Sequence, residues 1–153
     1  MIKINVLISN KNWKKYIKKP EIYLKKKIKS INKKDNFFKN KNCNFSLLLS
    51  GKKEIRTINK KFRKKNKITD VLSFPYHSPN DAKKNLKNKK HIYLGDIALN
   101  FYKINRVKKD FKKEFNKLWI HGFLHLLGYK HYKNRDFYRM KKLEDEIFKQ
   151  IRC

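Results

Sequence analysis

The stretch His121–His131, HGFLHLLGYKH, holds three of the chain's five histidines and two of its four glycines. Leu118, Phe123, Leu124 and Leu127 around it carry the apolar spacing of a packed helix, and Trp119 and Tyr129 read as further core. Two residues four apart on a helix share one face, with Cβ atoms about 5–6 Å apart, so His121 and His125 can grip a single ion. Gly128 is a natural left-handed helix stop, and a turn there would bring His131 back to the same point. A lone histidine on such a face would read as a hydrogen-bonded core residue. Three at this spacing around a placed glycine predict a metal cradle. Three imidazoles at Zn–N distances of about 2.0–2.1 Å leave the fourth tetrahedral position for water, which predicts one catalytic rather than structural zinc per chain.

The elements on either side follow from periodicity. FKKEFNKLWIHGFLHLLGY and NRDFYRMKKLEDEIFKQI predict two helices separated by a turn around Lys130 and His131. Ile2, Ile4, Val6 and Ile8 alternate with polar residues as in a half-buried strand, and after Pro20 the residues Leu24, Ile28 and Ile31 form a helical stripe. NFSLLLS, ending at Gly51, predicts a second strand. KEIRTINKKFR predicts a helix, DVLSF before Pro75 a short strand, and HIYLGDIALN another strand. The segment Tyr76–Lys90, rich in Pro, Asn and Lys, predicts a long surface loop. The order β-α-β-α-β-β-α-α predicts an α/β (α+β) fold: one mixed sheet packed by helices, in a single domain over residues 1–153 with no repeat and no dividing linker.

Composition narrows the partners. The net charge of +31, from 43 basic and 12 acidic residues, favours a polyanion, because neutralising phosphates releases condensed counterions. Only six of the basic residues are Arg and alanines number two, while Lys, Asn and Ile abound, the pattern of A/T-rich codons. About half of the lysine excess is therefore assigned to base composition, and charge supports nucleic-acid binding without naming a function. Cys43 and Cys153 are far apart with no CxxC spacing, which argues against a disulfide framework or a cysteine-ligated zinc and for a reducing cytosol. No apolar run is long enough to span a membrane, and the N-terminus MIKINVLIS lacks a signal-peptide core. The expected location is cytoplasmic, with no membrane partner.

The spacing H-x3-H-x2-G-x2-H is shared with metzincin peptidases, whose general-base glutamate follows the first histidine. Here that position is Gly122, which points away from peptide hydrolysis. HGFLHLLGYKH, with TDVLSFP at Thr69–Pro75, LGDI at Leu94–Ile97 and RTINKKFR upstream, resembles the YbeY family of metal-dependent endoribonucleases, in matching order over nearly the whole chain. The resemblance implies a zincin-like metalloprotein core, zinc at His121, His125 and His131, and single-strand-selective cleavage of RNA. The implied role is 16S rRNA 3′-end maturation and ribosome quality control, with ribosomal RNA and the small subunit as partners and DNA not specifically implied. It places Arg63 and His121 in the reaction; a guanidinium beside the metal can hold a phosphodiester bidentately.

Lys130 stands where the family usually has Asp, so it would either weaken metal binding or face outward and touch RNA. Asp70 and Asp96, in matched motifs, are candidates to orient the ligands from behind, with capping or turn roles as the alternative. Glu144 on the last helix reads as a surface residue. Two other classes of function are a zinc metallopeptidase and a non-catalytic basic ribosome-binding factor whose zinc only staples the fold.

Overall fold

The computed structural model describes residues 1–105 and 110–152. Its four strands are β1 (Ile2–Ile8), β2 (Asn42–Ser50), β3 (Val71–Pro75) and β4 (His91–Asn100). The helices are α1 (Trp13–Tyr16), α2 (Pro20–Lys34), α3 (Lys52–Arg63), α4 (Pro79–Asn88), α5 (Phe101–Asn105), α6 (Phe111–Leu126) and α7 (Asn134–Ile151), with a 3-10 turn at Asn36–Phe38. Every strand and long helix expected from periodicity is present. Cys153 lies outside the described residues; Cys43 is buried in β2, where loss of water raises its thiol pKa.

The strands form one mixed sheet in the order β1-β2-β4-β3, with β1, β2 and β4 parallel and β3 antiparallel on the edge beside β4. Side chains alternate across a strand, and the two faces of this sheet bury different partners. Leu47 and Leu49 of β2, with Ile97 and Leu99 of β4, enter the main core with Leu24 and Ile28 of α2, Phe123 and Leu126 of α6, and Met140 and Ile151 of α7. On the other face Leu72 of β3 and Ala98 of β4 form a smaller cluster with Ile55 of α3, flanked by Leu48, Ile58 and Phe74. Helices thus cover both faces, and α6 lies against β3 and β4.

One segment differs from its sequence reading. Within the expected loop Tyr76–Lys90, residues Pro79–Asn88 form α4. Ser78 caps it, its side-chain oxygen accepting from the Asp81 backbone N–H at 3.3 Å; Pro79 occupies the first turn; and Ala82 and Leu86, four apart, are buried. Two buried residues amid lysine and asparagine are a short stripe, and tertiary contact completes what local periodicity leaves weak.

Candidate metal centre

Helix α6 is started by Asp110, whose side chain accepts from Lys113 N at 3.2 Å, and it buries Phe115, Trp119, Phe123 and Leu126. That packing turns His121 and His125 toward β3. The helix ends as expected. Gly128 has φ +96°, its N–H donates to the His125 carbonyl at 3.0 Å, and the reversal returns His131 to the two helical histidines. The ring centroids of His131 lie 5.6 Å from His121 and 5.0 Å from His125. One ligand atom from each of the three lies within 4.8 Å of the others.

The hydrogen bonds behind the rings test whether this group suits a cation. His121 Nδ1 donates to Glu144 Oε1 at 2.6 Å, and His125 Nδ1 donates to the Tyr129 carbonyl at 2.9 Å. Each bond places the ring proton on Nδ1 and leaves the Nε2 lone pair facing inward. The two Nε2 atoms are 3.0 Å apart, so two acceptors confront each other, an arrangement that a shared cation relieves. Two nitrogens on a tetrahedral zinc would stand about 3.3 Å apart, a small opening of the pair. Burial is the main cause holding the His125 pKa below the ordinary histidine value, only partly offset by the Tyr129 carbonyl; nearby His121 and His131 lower it further. A depressed pKa keeps His125 neutral, the form that binds metal. The residues fit a metal cation in type and number, and His121 and His125 fit it in tautomer as well.

Glu144 corrects the surface role expected for it. It is half-buried on α7, whereas its neighbours Asp145 and Glu146 are exposed. It lies beside the stripe Met140, Leu143, Ile147 and Ile151 that packs α7 inward, which carries its carboxylate toward α6. Asp96 is a second correction. Its carboxylate lies on the opposite sheet face, accepting from Tyr93 Oη at 2.6 Å, and does not line the histidine cleft. Asp70, just before β3, does not line it either; its carbonyl accepts from Asn100 N at 2.9 Å. The orienting partners of His121 and His125 are Glu144 and the Tyr129 carbonyl.

Arg63 reaches the same cleft, of about 420 Å³, from the far side. It is the last residue of α3, after which Lys64 adopts a left-handed φ of 56° that ends the helix. Its Nη2 donates to the Ser73 carbonyl at 2.8 Å, and its guanidinium carbon sits 5.5 Å from the Phe74 ring centroid. Ser73 also donates through Oγ to the Gly122 carbonyl at 2.9 Å, so one residue of β3 touches both Arg63 and the histidine helix. Lys130 lies on the exposed rim with Nζ 5.7 Å from the Tyr132 ring centroid. The carbonyl that orients His125 belongs to Tyr129, so a side chain at 130 has no part in that bond.

Gly122 is more than a missing base. A Cβ there would meet Ile97 Cγ2 at 2.9 Å and Ser73 Oγ at 3.1 Å. A glutamate placed where a metzincin carries one would have to push Ile97 and Ser73 aside, so the packing around Gly122 argues against the peptidase reading.

A family model described as Endoribonuclease YbeY matches residues 7–152. The Endoribonuclease YbeY of Pelagibacter ubique (strain HTCC1062) is 43% identical over 156 residues, covering 99% of this chain and 97% of its own. That of Buchnera aphidicola subsp. Cinara cedri (strain Cc) is 38% identical over 120 residues, covering 76% of this chain and 74% of its own. A solution structure of a Thermotoga maritima protein, 25% identical, superposes with a TM-score of 0.63 over 97% of this chain and 89% of that one. Matched along nearly its whole length by the family model and by the Pelagibacter ubique relative, the chain belongs to the YbeY endoribonuclease family.

Proposed function

We propose that this protein is a zinc-dependent, single-strand-selective endoribonuclease that matures the 3′ end of 16S rRNA and serves ribosome quality control, acting in the cytoplasm on the small subunit. The observation that carries the reading is the convergence of Arg63 and three inward-facing imidazoles on one cleft. His121, His125 and His131 hold one zinc ion. When bound, the ion supplies Lewis acidity at the scissile phosphodiester. Arg63, braced by the Ser73 carbonyl, binds and orients the phosphate and stabilises the negative charge that develops on it. Glu144 and the Tyr129 carbonyl keep the imidazole protons on Nδ1 and away from the reacting side. Lys130, exposed on the rim, adds a cation along the path of the RNA backbone.

The test is cleavage of a single-stranded oligomer of the rRNA 3′ end, with metal content measured in parallel. Wild type should carry about one zinc per chain and cut the oligomer. His121→Ala and chelated wild type should not cut, and Arg63→Ala should bind zinc normally yet cut at least a hundredfold more slowly. Undiminished cutting by chelated protein or by His121→Ala would remove the metal-centred reaction, and undiminished cutting by Arg63→Ala would remove the arginine from it.

A further inference from the structure

The sheet face that α3 covers is only partly closed. At the end near the starts of β1, β2 and β4, Lys3, Asn5, Asn44 and Tyr93 are exposed. Along the border of this open area stand two aromatic pairs. Phe62 meets Phe74 with ring centroids 5.7 Å apart, and Tyr76 meets Tyr93 at 5.7 Å. Phe74 and Tyr76 are two residues apart in an extended segment, because the Tyr76 N–H donates to the Leu94 carbonyl at 3.0 Å and carries the ladder one residue past β3. They therefore share a face, about 6.7 Å apart.

Packing does not account for these rings, since Phe62 is 64% exposed, Tyr76 70% and Tyr93 38%. Exposed aromatics grouped on one face mark an interaction surface. The chemistry beside them is cationic. Lys61 Nζ is 5.4 Å from the Phe62 ring centroid, and the Arg63 guanidinium lies over Phe74. The carboxylate of Asp96, on this face, accepts from the Tyr93 hydroxyl, whose oxygen in turn accepts from Ser46 Oγ at 3.2 Å, so these contacts fix that ring. The core of a protein interface is depleted of charge, whereas rings interleaved with cations suit unpaired bases on a phosphate backbone. The row is also continuous with the histidine cleft, because the Arg63 guanidinium, at the end of α3, bonds to the edge strand between them.

We propose that Phe62, Tyr76 and Tyr93 form a base-stacking row for single-stranded RNA, which crosses the edge strand at Arg63 so that its backbone enters the histidine cleft. The inference rests on the endoribonuclease reading and adds where the strand outside the cleft lies. It also gives single-strand selectivity a physical source: bases inside a duplex are already stacked and offer no free face to the row.

The test is fluorescence anisotropy with the full chain carrying His121→Ala, so that RNA is not consumed. The probes are a single-stranded RNA oligomer, an abasic ribose-phosphate oligomer of equal length and a blunt RNA duplex. Phe62→Ala and Tyr76→Ala should each weaken binding of the single strand about tenfold and leave the abasic oligomer and the duplex unchanged. Tyr76→Phe should bind like the parent, since it keeps the ring without the hydroxyl. Unchanged single-strand binding, or equal losses on the abasic oligomer, would overturn the row. Self-association on sedimentation that Tyr76→Ala abolishes while RNA affinity stays intact would assign the face to a second copy and overturn it as well. The two readings fail separately. Wild type that cuts RNA while the aromatic variants bind normally defeats the row alone; the predicted binding losses in a protein that never cuts RNA leave the row standing and defeat the endoribonuclease.

Discussion

Glu144 accepts from His121 Nδ1 at 2.6 Å, and its charge raises the electron density that His121 can offer an ion. Glu144→Gln keeps the shape and removes the charge. It should lower zinc affinity about 10- to 100-fold in competition against a chelating dye, with the melting curve of the metal-free chain unchanged. Equal affinity in variant and parent would show that the carboxylate only fills space. At this scale the histidines were legible, because their spacing encodes a shared face and a turn. Glu144 was not, because one carboxylate in KLEDEI, 23 residues beyond His121, has no local pattern to tie it to that ring. Asp96 shows the reverse error: its place in a recognisable motif suggested the site, but strand alternation sends its side chain to the other face of the sheet.

At the scale of elements, α4 contributes a wall of the cleft through Pro79, whose carbonyl oxygen a Cβ at Gly128 would meet at 3.0 Å. The start of α4 depends on Ser78, which accepts from Asp81 N and donates to Asp81 Oδ2 at 2.8 Å. Ser78→Ala should destabilise this helix by about 1 kcal/mol. Amide exchange confined to residues 79–88 should then accelerate about fivefold, while the strands keep their protection. Uniform acceleration across the chain would instead tie α4 to the global unfolding unit. The strands and long helices were legible because their apolar periods are long. The caps at Ser78 and Pro79 were present as signals, yet the segment between them lacks the apolar content that makes a helix readable without its neighbours.

For the whole molecule, the charge of +31 and the mixed sheet are separate matters, since charge governs association and not the fold. Binding of single-stranded RNA should fall about tenfold or more for each doubling of salt, as expected if six or so phosphates are neutralised. A much shallower slope would show that most of the lysines reflect base composition and face only solvent. The strand order β1-β2-β4-β3 was not legible, because pairing between distant segments leaves no periodicity in either one. Yet that order makes β3 an edge strand with a carbonyl free to receive Arg63. Through Ser73, the Arg63 guanidinium and the helix that bears His121 and His125 hang from a single point. Each of them is held to β3 by one hydrogen bond to the same residue. Opposite walls of the cleft therefore share one joint, and a change at residue 73 reaches both of them.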